Sequence, residues 1–146
     1  MKTGVGGTRA VSRPREETIR SEDLANAIAT AALEKKAQDL VLLDMKNLVS
    51  YTDIFVLCSA TNPRQAKAIA DYVVLWTKRE FDRRPKGVEG ITLGKWVLVD
   101  FGDVVLHIFD GPLRGFYNLD GLWADAPRLP VPEAEELASA GTHSRT

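Results

Sequence analysis

Residues 96–109 read "WVLVDFGDVVLHIF", and the register of this stretch decides the fold. Two apolar runs flank Phe101-Gly102-Asp103. The stretch therefore reads as a β-hairpin with Gly102 and Asp103 at the centre of a tight turn, where glycine supplies the positive φ. In that register Phe101 faces Val104, Val99 faces Leu106 and Trp96 faces Phe109. Side chains alternate across a strand, so one face carries Val97, Val99, Phe101, Val104, Leu106 and Ile108, all apolar, and packs on a core. The other face carries Trp96, Leu98, Asp100, Val105, His107 and Phe109. Asp100 and His107 are diagonal neighbours there, and three readings of the pair stand side by side. A carboxylate can orient a general base, it can make a hydrogen bond within the core, or both residues can belong to a mixed aromatic and polar surface that another protein reads. Against catalysis stands the lack of a nucleophile, since Ser59 and Thr61 are the only hydroxyls near a strand end and neither lies in a recognisable elbow.

Working outward from the hairpin, the chain alternates helix and strand. Ser21 stands as an N-cap ahead of Glu22 and Asp23, which suit the positive end of a helix dipole. Leu24, Ile28, Ala31 and Ala32 then recur on one face of a helix expected to reach about Ala37. "LVLLD" (40–44) and "DIFVLCS" (53–59) are short, apolar and bounded by polar residues, as buried strands are. In "TNPRQ" (61–65), Asn62 is an N-cap, Pro63 occupies the first helical position and Gln65 completes a capping box. Ala66, Ile69, Ala70, Val73 and Val74 carry that helix to about Phe81. A short strand is expected in "VEGIT" (88–92). Beyond the hairpin, Leu113, Phe116 or Tyr117, Asp120 and Trp123 put a partly aromatic stripe on one final helix. The expected architecture is α/β, a mixed β-sheet of about four to five strands flanked by helices.

The chain has 146 residues and is 45% hydrophobic, enough for one domain, placed at residues 21–126. Residues 1–20 carry five Lys/Arg against two Asp/Glu and read as a disordered N-terminal arm. Residues 127–146, with three prolines, read as a flexible C-terminal tail. The domain between them carries twelve bases against fifteen acids. That mild acidic excess is poorly suited to gripping nucleic acid through phosphates, and sequence-specific nucleic-acid binding is not expected. A basic protein partner fits better.

Cys58 is the only cysteine and lies in an apolar run, so an intramolecular disulfide and a cysteine-rich zinc site are both excluded. No apolar run approaches the roughly 18 residues a membrane span needs, and the N-terminus lacks the apolar core of a secretory signal. A cytoplasmic location is the expectation. No metal or cofactor is expected. "DFG" (101–103) holds magnesium in protein kinases, but the Gly-rich and catalytic-loop patterns of a kinase are missing. "GVGG" (4–7) has no strand before it and no Gly-Lys-Ser/Thr after it.

Taken in order and at these separations, "LLDM", "YTDIFVLCSATNPRQAKAIADYV", "VEG", "WVLVDFGDVVLHIF" and "RGFYNLDGLW" resemble the ribosomal silencing factor family, also called the Iojap or RsfS family, from about Ala32 to Pro127. Two departures are visible. Asn62 stands where many members have serine, and Asp120-Gly121 where Leu-Glu-x-Leu-Trp is usual. A glycine within the last helix costs about 1 kcal/mol relative to alanine. The resemblance implies a fold similar to nucleotidyltransferases without their catalytic motif. It also implies a non-enzymatic repressor of translation, which binds the large ribosomal subunit through its fourteenth protein and sterically blocks joining of the small subunit. A homodimer when free is implied too. The alternatives are a large-subunit assembly factor and a nucleotide-binding enzyme. For the latter, Asp100 and Asp103 lie three apart across a turn and need not converge on one metal. The expected partner-binding residues are Trp96, Asp100, His107 and Phe109 of the hairpin's second face, with Glu89, Arg114, Tyr117 and Trp123 beside it. Trp96→Ala is expected to weaken partner binding and leave the melt nearly unchanged.

Overall fold

The computed structural model describes residues 19–131. The expected arm through residue 18, the tail from residue 132 and His143 lie outside the described residues. In chain order the elements are α1 (Ser21–Glu34), β1 (Gln38–Asp44), β2 (Ile54–Ala60), α2 (Pro63–Phe81), β3 (Gly87–Glu89), β4 (Trp96–Asp100), β5 (Val104–Asp110), α3 (Gly111–Tyr117), α4 (Leu119–Leu122) and β6 (Arg128–Leu129). They build one six-stranded sheet in the order β3-β4-β5-β2-β1-β6. β2 and β5 run parallel, and every other neighbouring pair is antiparallel.

The hairpin has the register its alternation demands. Trp96 pairs with Phe109, Val97 with Ile108 and Val99 with Leu106, and Phe101 N donates to Val104 O at 2.9 Å. Gly102 has φ +95° at the first central position of the turn, where II′ turns place glycine. The Asp100 side chain tightens the turn by accepting from Gly102 N at 2.8 Å. The six apolar residues of the first face are all buried, and together with β2 they pack beneath Leu24, Ile28, Ala32, Ile69 and Val73 of the two long helices. Burying a leucine or isoleucine of this kind contributes roughly 1.5–3 kcal/mol.

A second, smaller core lies on the other side of the sheet. Leu43, Met45, Phe55, Leu57, Val105 and Phe109 pack there with Leu119 and Ala126. β2 is consequently buried along its whole length, which explains why it shows no polar alternation.

Local signals at the helix ends were partly legible. Asn62 caps α2 by accepting from Gln65 N at 2.8 Å. The Gln65 side chain reaches back to accept from Thr61 N, one residue earlier than a capping box requires. Gln65 Nε2 also donates to Lys35 O at 3.1 Å and Lys36 O at 3.2 Å, which ties the start of α2 to the end of α1. Ser21 is not the N-cap of α1; Arg20 holds that position without a side-chain bond. The Ser21 hydroxyl instead lies 2.8 Å from Asp53 Oδ2 and 3.2 Å from Asp103 Oδ2. α1 stops at Glu34, short of Ala37, because Lys36 turns left-handed at φ +68°. Lys36 N then bonds to Leu33 O and Ala37 N to Ala32 O, the two bonds of a Schellman motif.

Two expectations need correction toward the C-terminus. The single last helix is two, broken at Asn118, which adopts φ +53° and then caps α4 through a bond from Gly121 N at 3.1 Å. A Cβ on Gly121 would lie 2.8 Å from Asn118 Cγ, so this glycine makes room for the cap and is not a flaw inside a longer helix. The sheet also runs past residue 126: Arg128–Leu129 pairs with Leu43 and Leu42 as β6. A two-residue edge strand is too short to carry an alternation.

Candidate functional site

The face opposite the long helices gathers the residues singled out from the sequence, but at different depths. The sheet register places them in rows: Glu89, Leu98, His107 and Leu57 side by side, and Asp100 beside Val105 and Phe55. His107 is 4% exposed and Phe109 0%, so these two expected contact residues form the floor of the face. The physical reason is Trp96, whose ring lies 5.1 Å from that of Phe109 and 4.6 Å from that of Tyr117, roofing the row from the edge of β4.

Trp96 also settles the state of His107. Its indole Nε1 donates to His107 Nδ1 at 3.2 Å, so the neutral imidazole carries its proton on Nε2. Burial pushes the imidazole down to about 4, against a weaker opposing pull from Asp100. At neutral pH this histidine is therefore uncharged. The Asp100–His107 hydrogen bond expected of either a core pair or an oriented base is not made, since Nδ1 faces the indole and Nε2 has no partner among the described residues.

Asp100 and Asp103 diverge as well. Asp100 holds the turn amide of Gly102, whereas Asp103 pairs with Arg83 at 3.0 Å. Among the described residues no three acids, histidines or cysteines are grouped to hold a metal. Ser59 is buried and its hydroxyl accepts from Arg114.

Arg114 belongs to the framework. Nε and Nη2 fork onto Asp120 at 3.0 and 2.9 Å, while Nη1 donates to Asp39 O at 2.6 Å and Ser59 Oγ at 3.0 Å. Its side chain is 12% exposed, so the expected contact residue is a clamp that holds α3 and α4 on the ends of β1 and β2. The same hydrogen bonds keep the Asp120 carboxyl below its usual range. Trp123 is half-buried and meets Phe55 edge-on at 6.3 Å. Glu89 and Tyr117 are exposed, and Trp96 and Asp100 are half-buried.

The rim includes residues the sequence reading passed over. Tyr51 is 64% exposed beside Phe55, at a ring separation of 6.3 Å. Phe116 is 77% exposed against Tyr117, and Leu122 is exposed close by in sequence on α4. Tyr51 lies in the connection between β1 and β2, where no periodicity marks it; a large aromatic in a short polar loop was the available signal. Two adjoining hollows open on this face, about 260 Å³ beside Trp96 and about 250 Å³ beside His107, sharing Glu89 and Leu98. A larger groove of about 650 Å³, between α2 and Arg84–Ile91, contains none of the expected contact residues.

These features define the class: an α/β domain on a mixed six-stranded sheet, with long helices on one side and a partly covered aromatic and acidic face on the other. The family model described as "Ribosomal silencing factor during starvation" matches residues 18–146. A ribosomal silencing factor of Halalkalibacterium halodurans is 36% identical over 109 residues, covering 75% of this chain and 92% of the relative. One from Bacillus subtilis is 36% identical over 112 residues with the same coverage. A crystal structure of a Chromobacterium violaceum protein superimposes with a TM-score of 0.70 at 30% identity, over 73% of this chain and 88% of that one. The chain belongs to the ribosomal silencing factor family.

Proposed function

We propose that this protein represses translation by binding the large ribosomal subunit through its fourteenth protein and standing in the space the small subunit needs. The action is steric and non-enzymatic, and it takes place in the cytoplasm; when free, the protein forms a homodimer. One observation carries the reading beyond the family match. The sheet face away from the long helices exposes Tyr51, Phe116, Tyr117 and Glu89 around the half-buried Trp96 and Asp100. Exposed rings and carboxylates of this kind suit a basic protein surface, where aromatic residues supply most of the binding energy and charge sets orientation. The contact set is therefore Glu89, Trp96, Asp100 and Tyr117 with Tyr51 and Phe116, resting on His107 and Phe109, while Arg114 and Trp123 hold the frame.

The test is sedimentation of the purified protein with separated ribosomal subunits, followed by a subunit-joining assay. The protein is expected to travel with the large subunit alone and to reduce joining. If folded protein does not bind large subunits at moderate salt, the reading is wrong.

A further inference from the structure

The hollow beside His107 has a lining that asks for a particular occupant. It is lined by Tyr51, Phe55, Leu98, Glu89 and Asp100, with the buried Val105 and His107. Among the described residues neither carboxylate has a cationic partner within ion-pair distance. Asp100 Oδ1 is engaged by the Gly102 amide. Gly87, opposite Asp100 in the register, adds no side chain to crowd it.

A second observation is independent of the acids. Among the described residues the buried His107 Nε2 has no hydrogen-bond partner. Because Nδ1 faces the Trp96 indole, Nε2–H points away from Trp96. The imidazole, neutral with its proton on Nε2, therefore brings no positive charge to compete for the two carboxylates.

We propose that this hollow is a socket for one arginine side chain of a protein partner. Its guanidinium would lie between the Glu89 and Asp100 carboxylates with its plane against Tyr51, and its stem would run along Leu98. Arginine fits better than lysine because a planar cation can stack on a ring while its fork serves two carboxylates. The volume of about 250 Å³ is enough for one such side chain. The socket rests on the ribosomal reading only for the identity of the partner; the chemistry of the site stands without it.

Two measurements test this separately. In amide-resolved NMR of the full chain, N-acetyl-arginine methylamide should shift signals at Tyr51–Phe55, Glu89 and Leu98–Asp100. The lysine analogue should bind several-fold more weakly and the glutamate analogue not at all. The double variant Tyr51→Ala, Glu89→Gln should abolish the arginine response. Both residues are exposed, so the fold does not depend on them. Arginine shifts scattered over the surface, or equal to those of lysine, would overturn the socket. In sedimentation with isolated large subunits, the double variant should bind at least ten-fold more weakly than the parent. If it binds equally well, the partner does not use the socket. If the parent itself does not sediment, the ribosomal reading fails, and the NMR titration alone decides the socket.

Discussion

Replacing Arg114 by alanine distinguishes a clamp from a contact. The substitution removes both hydrogen bonds to Asp120 and those to Asp39 O and Ser59 Oγ. A surface ion pair of ordinary exposure contributes at most about 1 kcal/mol, whereas breaking a buried pair costs about 3–5 kcal/mol. Arg114 is nearly covered but Asp120 is 29% exposed, so water can rescue part of the orphaned carboxylate. The expected loss is about 3 kcal/mol, taken from between those limits. For a domain of this size that corresponds to a fall in Tm of roughly 10 °C. Arg114→Lys keeps the charge and loses the fork, and should recover less than half of it. Urea melts of the three proteins, with large-subunit sedimentation of each below its melting temperature, make the assay. A melt unchanged to within 1 kcal/mol, together with lost ribosome binding, would refute the clamp and restore Arg114 to the contact surface.

Further outcomes follow from the same geometry. His107 has a folded pKa of about 4, below its unfolded value, so only the unfolded chain takes up the proton as pH falls below about 6.5. Stability from this group is whole above that pH and is lost toward pH 4; urea melts should show about 2 kcal/mol less stability at pH 5 than at pH 7.5, a difference His107→Leu removes. Asp120 acts lower: its depressed pKa makes stability present above the normal carboxylate range and lost as pH falls through the folded value, so Asp120→Asn should flatten the acid limb of a melt series. Trp96→Ala, expected from the sequence to leave the melt intact, should instead cost about 2–3 kcal/mol by thermal denaturation, since Trp96 roofs Phe109 and satisfies His107. Asn118→Ala combines left-handed strain with a lost cap, and calorimetry should show a loss of about 2 kcal/mol.

The sequence was most legible where one strong local rule governed. The alternation in residues 96–109 and the glycine between its halves fixed the hairpin register, and Asn62-Pro63 fixed the start of α2, because neighbouring residues alone decide those outcomes. It was least legible at the C-terminal end. The Asn118 break competes with a helical stripe of equal local merit, and the Arg114 clamp joins residues far apart in the chain. At the site, the register correctly placed Asp100 and His107 on one face, but a face is not a depth.

What the sequence determined by itself was therefore the strand pairing of the hairpin, the apolar side that packs on the long helices, and the order of motifs that marks the family. Only the tertiary structure decided which residues of the second face meet solvent. That depends on Trp96, α3 and α4 closing over His107 and Phe109, and on the β1–β2 loop bringing Tyr51 beside Glu89 and Asp100. Alternation is written along one strand, whereas burial is set by elements that arrive from elsewhere in the chain.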